Sequence, residues 1–101
     1  MIDLEFTFIS EIFLIHSEKA AWHMVTLPGE MSEDIKAFTK HLSRGFRSVK
    51  VEAKIGKTRW KTSIFPSKER EAYVLPIKKS VRTAENICEA STVTVELSIP
   101  T

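Results

Sequence analysis

The chain has 101 residues, 43% hydrophobic and 28% charged, which fits one compact soluble domain with a modest core and no stretch of disordered composition. A formal net charge of +2 is too small to imply nucleic acid from bulk charge, so any electrostatic partner must be argued from a local patch. Cys88 is the single cysteine, which excludes an internal disulfide and a thiolate metal cluster built from one chain.

Residues 4–15 alternate at strand period, with Leu4, Phe6, Phe8, Ile12 and Leu14 on one face. Ile9, Phe13 and Ile15 interrupt the polar face, so the second half of this strand is expected to be covered on both sides. The apolar stretch Ile12-Phe13-Leu14-Ile15 is too short for a signal core or a membrane span, and together with the acidic start Met1-Ile2-Asp3-Leu4-Glu5 it predicts a cytoplasmic protein with no membrane contact. His16-Ser17-Glu18-Lys19 is a polar connection to a strand over residues 20–27, the expected hairpin partner of the first. The pattern leaves open which of Trp22 and His23 faces inward.

Pro28-Gly29 ends that strand, and Ser32, succeeded by Glu33 and Asp34, predicts a helix cap with acids in the first turn. Ile35, Phe38 and Leu42, with Met31 before them, make a stripe whose spacing favours core packing over a ligand groove. An exit loop occupies 43–48. Residues 49–55 and 58–65 then read as a hairpin joined by Gly56-Lys57, with glycine where a type II′ turn wants it. That register sets Ala53 opposite Trp60, Val51 opposite Thr62, Glu52 opposite Lys61 and Lys54 opposite Arg59. The last pair brings like charges together.

A charged loop, Pro66-Ser67-Lys68-Glu69-Arg70-Glu71, leads into a strand over 72–75. A helix is predicted over 78–84, with Val81 and Ala84 on its buried face. Asn86 is expected to end it in the left-handed conformation while Ile87 folds back onto the last turn. Glu89-Ala90-Ser91 turns the chain into a final strand over 92–99, where Val93, Val95, Leu97 and Ile99 point inward.

The chain repeats itself: a unit opening at Val25-Thr26-Leu27-Pro28 has a second copy opening at Tyr73-Val74-Leu75-Pro76. Each copy reads as a strand ending in Leu-Pro, a helix, a turn residue, an apolar residue and a long alternating strand, with Gly45 and Phe46 in the first copy standing where Asn86 and Ile87 stand in the second. One such unit is too small to bury its apolar face, since chains below about 40 residues rarely form a core alone. The expectation is therefore a mainly β domain with two short helices, made of two pseudo-twofold-related halves within one monomeric chain.

At Ala21-Trp22-His23-Met24-Val25-Thr26-Leu27-Pro28, Trp60-Lys61-Thr62-Ser63-Ile64-Phe65-Pro66 and Tyr73-Val74-Leu75-Pro76-Ile77-Lys78, the chain resembles the family catalogued as domain of unknown function 1905. Arg44-Gly45-Phe46-Arg47-Ser48-Val49 and Val81-Arg82 fit the same pattern, so the resemblance covers nearly the whole chain. It implies a double-split β-barrel, the architecture of the AbrB and MazE type of swapped-hairpin regulators, with both halves supplied by one chain. The second copy departs from their pattern at Asn86, where a glycine is expected, and at Ala90-Ser91, which replaces a Gly-Asp turn. The resemblance implies no catalytic residue.

Two groups of side chains are candidates for function. Arg44, Arg47, Lys50, Lys54, Lys57, Arg59 and Lys61 form a basic run with Glu52 as its one acid, and an anion such as phosphate would relieve the repulsion between Lys54 and Arg59. The plainer reading is a solvated face whose charges prevent strand pairing. Ser63, Tyr73, Lys78 and Arg82 lie in or beside the shared motifs, and Lys78 and Arg82, four apart, would share a helix face able to hold a carboxylate or phosphate. The plainer reading pairs Arg82 with Glu85. His16, His23 and His41 lack the close spacing of helix-borne zinc ligands, and with glycines only at 29, 45 and 56 there is no phosphate-binding glycine loop. No metal or cofactor is expected. Ser63 with His23 would be a nucleophile and base, but nothing local marks Ser63 as activated. Trp22 and Trp60 are read as core or rim aromatics before stacking platforms. The leading expectation is a non-enzymatic binding module for a small anionic ligand, held through Lys54, Arg59, Lys78 or Arg82. Its rivals are a nucleic-acid-binding module using the basic hairpin 44–61, and a small-molecule enzyme or cofactor-binding domain with a pocket near Ser63, Tyr73 and Lys78.

Overall fold

The alternation of residues 49–55 and 92–99 is realised as two strands whose odd positions are all buried: Val49, Val51, Ala53 and Ile55 in one, Val93, Val95, Leu97 and Ile99 in the other. The computed structural model describes residues 4–39 and 48–100. These form β1 (Leu4–Glu11), β2 (Phe13–His16), β3 (Ala21–Thr26), α1 (Gly29–Thr39), β4 (Val49–Ile55), β5 (Thr58–Ser67), β6 (Ala72–Pro76), α2 (Lys79–Glu85) and β7 (Thr92–Ile99). The strands make one curled antiparallel sheet in the order β1-β7-β4-β5-β6-β3-β2. The β4–β5 hairpin has the expected register, including Ala53 opposite Trp60 and Lys54 opposite Arg59. Gly56 takes φ +60° while Lys57 stays out of the left-handed region, as a type II′ turn requires.

Residues 4–15 do not form one strand. Ile12, fully buried, separates β1 from β2, its N–H donating to Ser91 O at 2.9 Å and its carbonyl accepting from Ala90 N at 2.9 Å. The ladder is broken there because Ile12 pairs with the turn before β7 instead of with a strand. β1 pairs with β7, and β2 with β3. The expected two-sided cover of β2 is not found: Ile15 is exposed, and Phe13 is partly covered by the Arg70 guanidinium, 3.6 Å from its ring centroid. Ile9, at the polar face of β1, is 69% exposed. β2 is an edge strand, paired on one side with β3. β5 also serves two partners, pairing through residues 58–64 with β4 and through 65–67 with β6. The two ends of the strand order are thus neighbouring pieces of chain, and Ser10 Oγ reaches Thr26 O on β3 at 3.1 Å.

α1 begins at Gly29, upstream of the expected cap. Ser32 lies within its first turn, donates its N–H to Pro28 O at 2.9 Å, and accepts from the buried Tyr73 N–H at 3.0 Å. A tertiary donor has taken the hydroxyl that the local pattern assigned to capping. Ile35 is buried and Met31 packs at the core margin, but Phe38 is 56% exposed, so the stripe is narrower than its spacing implies. Leu42, Gly45, Phe46 and the rest of the exit loop up to residue 47 lie outside the described residues. α2 runs one residue later than expected, with Val81 buried and Ala84 exposed, because seven residues present only one position to the core. Asn86 ends it at φ 53°, ψ 50°, and Ile87 N–H returns to Arg82 O at 3.0 Å.

The two Leu-Pro units meet strand to strand. β3 pairs with β6 so that Thr26 lies opposite Val74, and β4 pairs with β7 so that Ala53 lies opposite Leu97. In both places the facing residues are the ones the internal repeat aligns with each other, which is the register a twofold relation between the units produces. Leu27 and Leu75, the repeated leucines, are both fully buried in one core with Ile35, Ile64, Val81 and Val95.

Candidate functional site

Trp22 and His23 are neighbours on β3 and so point to opposite faces of the sheet. Trp22 is 55% exposed and His23 half-buried, which decides the orientation the sequence left open. Both border a cleft of about 400 Å³ between the edge of β3, the middle of β5 and the start of α2. The connection from β6 into α2 is fixed there by Ile77, which is buried and donates its N–H to His23 O at 2.8 Å. Arg82, in α2, reaches back over this connection, its Nε donating to Ile77 O at 3.2 Å and its Nη1 lying 3.4 Å from His23 Nε2.

A guanidinium only donates, so this contact makes His23 Nε2 the acceptor and leaves the ring proton on Nδ1. Burial, and after it the positive charge of Arg82, hold the His23 pKa below its ordinary 6.5, with Glu89 opposing weakly. The imidazole is therefore neutral at pH 7. Its Nδ1 is buried with no hydrogen-bond partner among the described residues, and so is Nε1 of Trp60, which borders the same cleft and is 6% exposed.

The charge of the cleft is one-sided. Lys61 from β5, Lys78 and Lys79 from the entry to α2, and Arg82 line it, and among the described residues no carboxylate lines it, Glu89 being the acid that acts on His23 from nearby. The face that carries Lys54 and Arg59 is different. A hollow of about 180 Å³ there is also bordered by Glu5, Glu52 and Glu96. Lys54 Nζ lies 3.6 Å from Glu96 Oε2, and Arg59 Nη1 lies 3.3 Å from Glu52 Oε1. The repulsion expected between Lys54 and Arg59 is thus answered by acids of the protein itself, one of them from β7, whose pairing with β4 the hairpin pattern alone does not reveal.

The structure divides the candidate residues. Lys78 and Arg82 border the cleft, whereas Ser63, half-buried on β5 opposite Lys50, does not. Tyr73 belongs to the core. The suggested Ser63–His23 pairing has no support, since His23 turns its Nε2 to Arg82. Arg82 does not pair with Glu85 either. Glu85 instead accepts from Thr58 Oγ1 at 2.6 Å and from Lys57 N at 3.4 Å, closing the β4–β5 turn onto α2, and a Cβ at position 56 would run into its carboxylate. The part of the site that residue-by-residue reading missed is the convergence of Trp22, His23, Trp60, Lys61 and Lys79.

Among the described residues, no group of three or more His, Cys, Asp or Glu side chains is placed to hold a metal ion, and no helix is long and apolar enough to cross a membrane. His41, Arg44 and Arg47 lie outside the described residues. A family model described as domain of unknown function (DUF1905) matches residues 8–97, from β1 to near the end of β7. The chain belongs to the DUF1905 family. No curated protein is matched by the sequence. The matched span of this DUF1905 domain contains every residue that borders the cleft, the whole first copy of the Leu-Pro unit and all of the second but Ser98 and Ile99.

Proposed function

We propose that this DUF1905 domain is a non-enzymatic module that binds a small anionic ligand in the cleft between β3, β5 and α2. The observation that carries the proposal is the lining: Lys61, Lys78, Lys79 and Arg82, with no carboxylate among the described residues that border it. Gathering like charges at one concave site is unfavourable until a counter-charge enters, and the low dielectric of a cleft makes that attraction larger than on an open face. Arg82 spends Nε and Nη1 on Ile77 and His23, which fixes the plane of the guanidinium while leaving further N–H donors for a carboxylate or phosphate. The acids beside Lys54 and Arg59 weigh against the hairpin as an anion or nucleic-acid surface, and the exclusion of Ser63 and Tyr73 from the cleft weighs against the enzyme reading.

The scaffold is read as a double-split β-barrel closed within a monomer. In support, the β1/β2 segment and β5 each serve two neighbours, and the repeat-matched residues face one another.

Calorimetric titration with pyrophosphate tests the functional proposal. Saturable binding is expected, weakened about tenfold or more by Lys78→Ala or Arg82→Gln, unaffected by Lys54→Ala or Arg59→Ala, and with the shallow salt dependence of a single small anion. No binding, or binding lost only on changing Lys54 or Arg59, would overturn it.

A further inference from the structure

Resting on that reading, we infer that the anion is the C-terminal carboxylate of a peptide, whose last residues add as a short strand to a free edge of β5. The ladder between β5 and β6 ends where Phe65 lies opposite Val74. Two residues further along β5, Ser63 would face Pro76, which has no N–H to give, so the pairing stops at the proline. From there the chain stays with β3, Ile77 N–H donating to His23 O, while β5 stays with β4. The cleft is the gap between the parting strands, with residues 60–62 on one side and 76–79 on the other.

Backbone groups face that gap as well as cations. Gly56-Lys57 is a tight turn, so Ile55 and Thr58 exchange hydrogen bonds, and so, at every second residue, do Ala53 with Trp60 and Val51 with Thr62. The N–H and C=O of Lys61, between two such pairs, point the other way, toward the gap, and among the described residues no strand pairs with them. An open strand edge of this kind is what an extended peptide adds to, main chain to main chain. The gap is closed at one end by the Phe65–Val74 pairing, so only the end of a chain can enter it. The cations Lys78 and Arg82 select the end that carries a carboxylate. Trp22, 55% exposed on the wall of the cleft, and its cross-strand neighbour Ile15, 41% exposed, offer an apolar surface to one side chain of the peptide. An inorganic anion would use the charge alone, and about 400 Å³ has room for a few residues.

The test presents the whole chain with peptides anchored by their N-termini and randomised over the last three positions, each made both as the free acid and as the C-terminal amide. A subset of free acids with a large apolar residue among those positions is expected to bind, and amidation to weaken each about tenfold or more, the effect of losing a charge-assisted contact. In calorimetry with the tightest of them, N-methylation at one of the last three positions should also weaken binding about tenfold or more, because it removes a main-chain donor. Arg82→Gln should weaken every free acid, and Trp22→Ala, at an exposed position and checked for folding by circular dichroism, should remove the preference for the apolar residue. Equal binding of acids and amides, or indifference to N-methylation at all three positions, would overturn the inference. Pyrophosphate binding with no free acid bound would overturn it while leaving the anion-binding proposal standing. Failure of pyrophosphate and every peptide to bind would overturn both.

Discussion

His23 is the described residue whose ionisation the fold alters most plainly. Its pKa is lowered by burial and by Arg82, so the folded chain binds fewer protons than the unfolded chain wherever the pH lies between the folded value and 6.5. Stability then rises with pH across that window: the His23 contribution is complete above 6.5 and is lost as pH falls toward the folded pKa. The expected outcome is a difference in unfolding free energy between the native chain and His23→Gln that is flat above neutrality and shifts against the native chain on acidification. Urea denaturation at a series of pH values checks it, and a difference independent of pH would contradict it. The signals at single residues were unequally legible. Asn86 announced its left-handed backbone because the preference is local to asparagine. The partner of Glu85 did not announce itself, because Thr58 is distant in sequence and a nearer cation, Arg82, was the obvious guess.

Among the elements, the β4–β5 hairpin was readable down to its register, since a two-residue turn with glycine first and strict alternation on both sides leave one arrangement. The start of α1 was not. Ser32 has the chemistry of a cap, but the Tyr73 N–H on β6 is buried and needs an acceptor, and the serine hydroxyl supplies it. Ser32→Ala is therefore expected to cost about 1–3 kcal/mol, the cost of leaving a buried donor unpaired, and more than loss of a helix-surface hydroxyl would. Chemical denaturation of the variant measures this. A change within about 0.5 kcal/mol, typical of surface substitutions, would show that the Tyr73 N–H does not depend on Ser32. The break at Ile12 was also hidden, because the residues on either side continue a good strand and the interruption comes from Ala90 and Ser91 far along the chain.

For the molecule as a whole, the internal repeat marked the two units whose strands meet, but which strands pair across them, β3 with β6 and β4 with β7, was not stated by the sequence. The cleft was only half legible. Lys78 and Arg82 were identifiable from helical spacing, but Lys61 read as part of the hairpin and Trp22 as an ambiguous strand residue until the fold set them side by side. Charge clusters built from separate elements leave no spacing in the sequence, whereas the run from Lys50 to Lys61 was conspicuous in the chain and proved to be interleaved with acids in space. The central claim is that anions bind at this cleft, and nitrogen–proton correlation spectra of the chain titrated with pyrophosphate test it most directly. The account predicts saturable shifts of both indole N–H signals and of the backbone amides of His23 and of residues 77–82, with the Lys54 and Glu96 amides unmoved. Shifts centred on Lys54, Arg59 and Glu96, or none at any concentration, would contradict it.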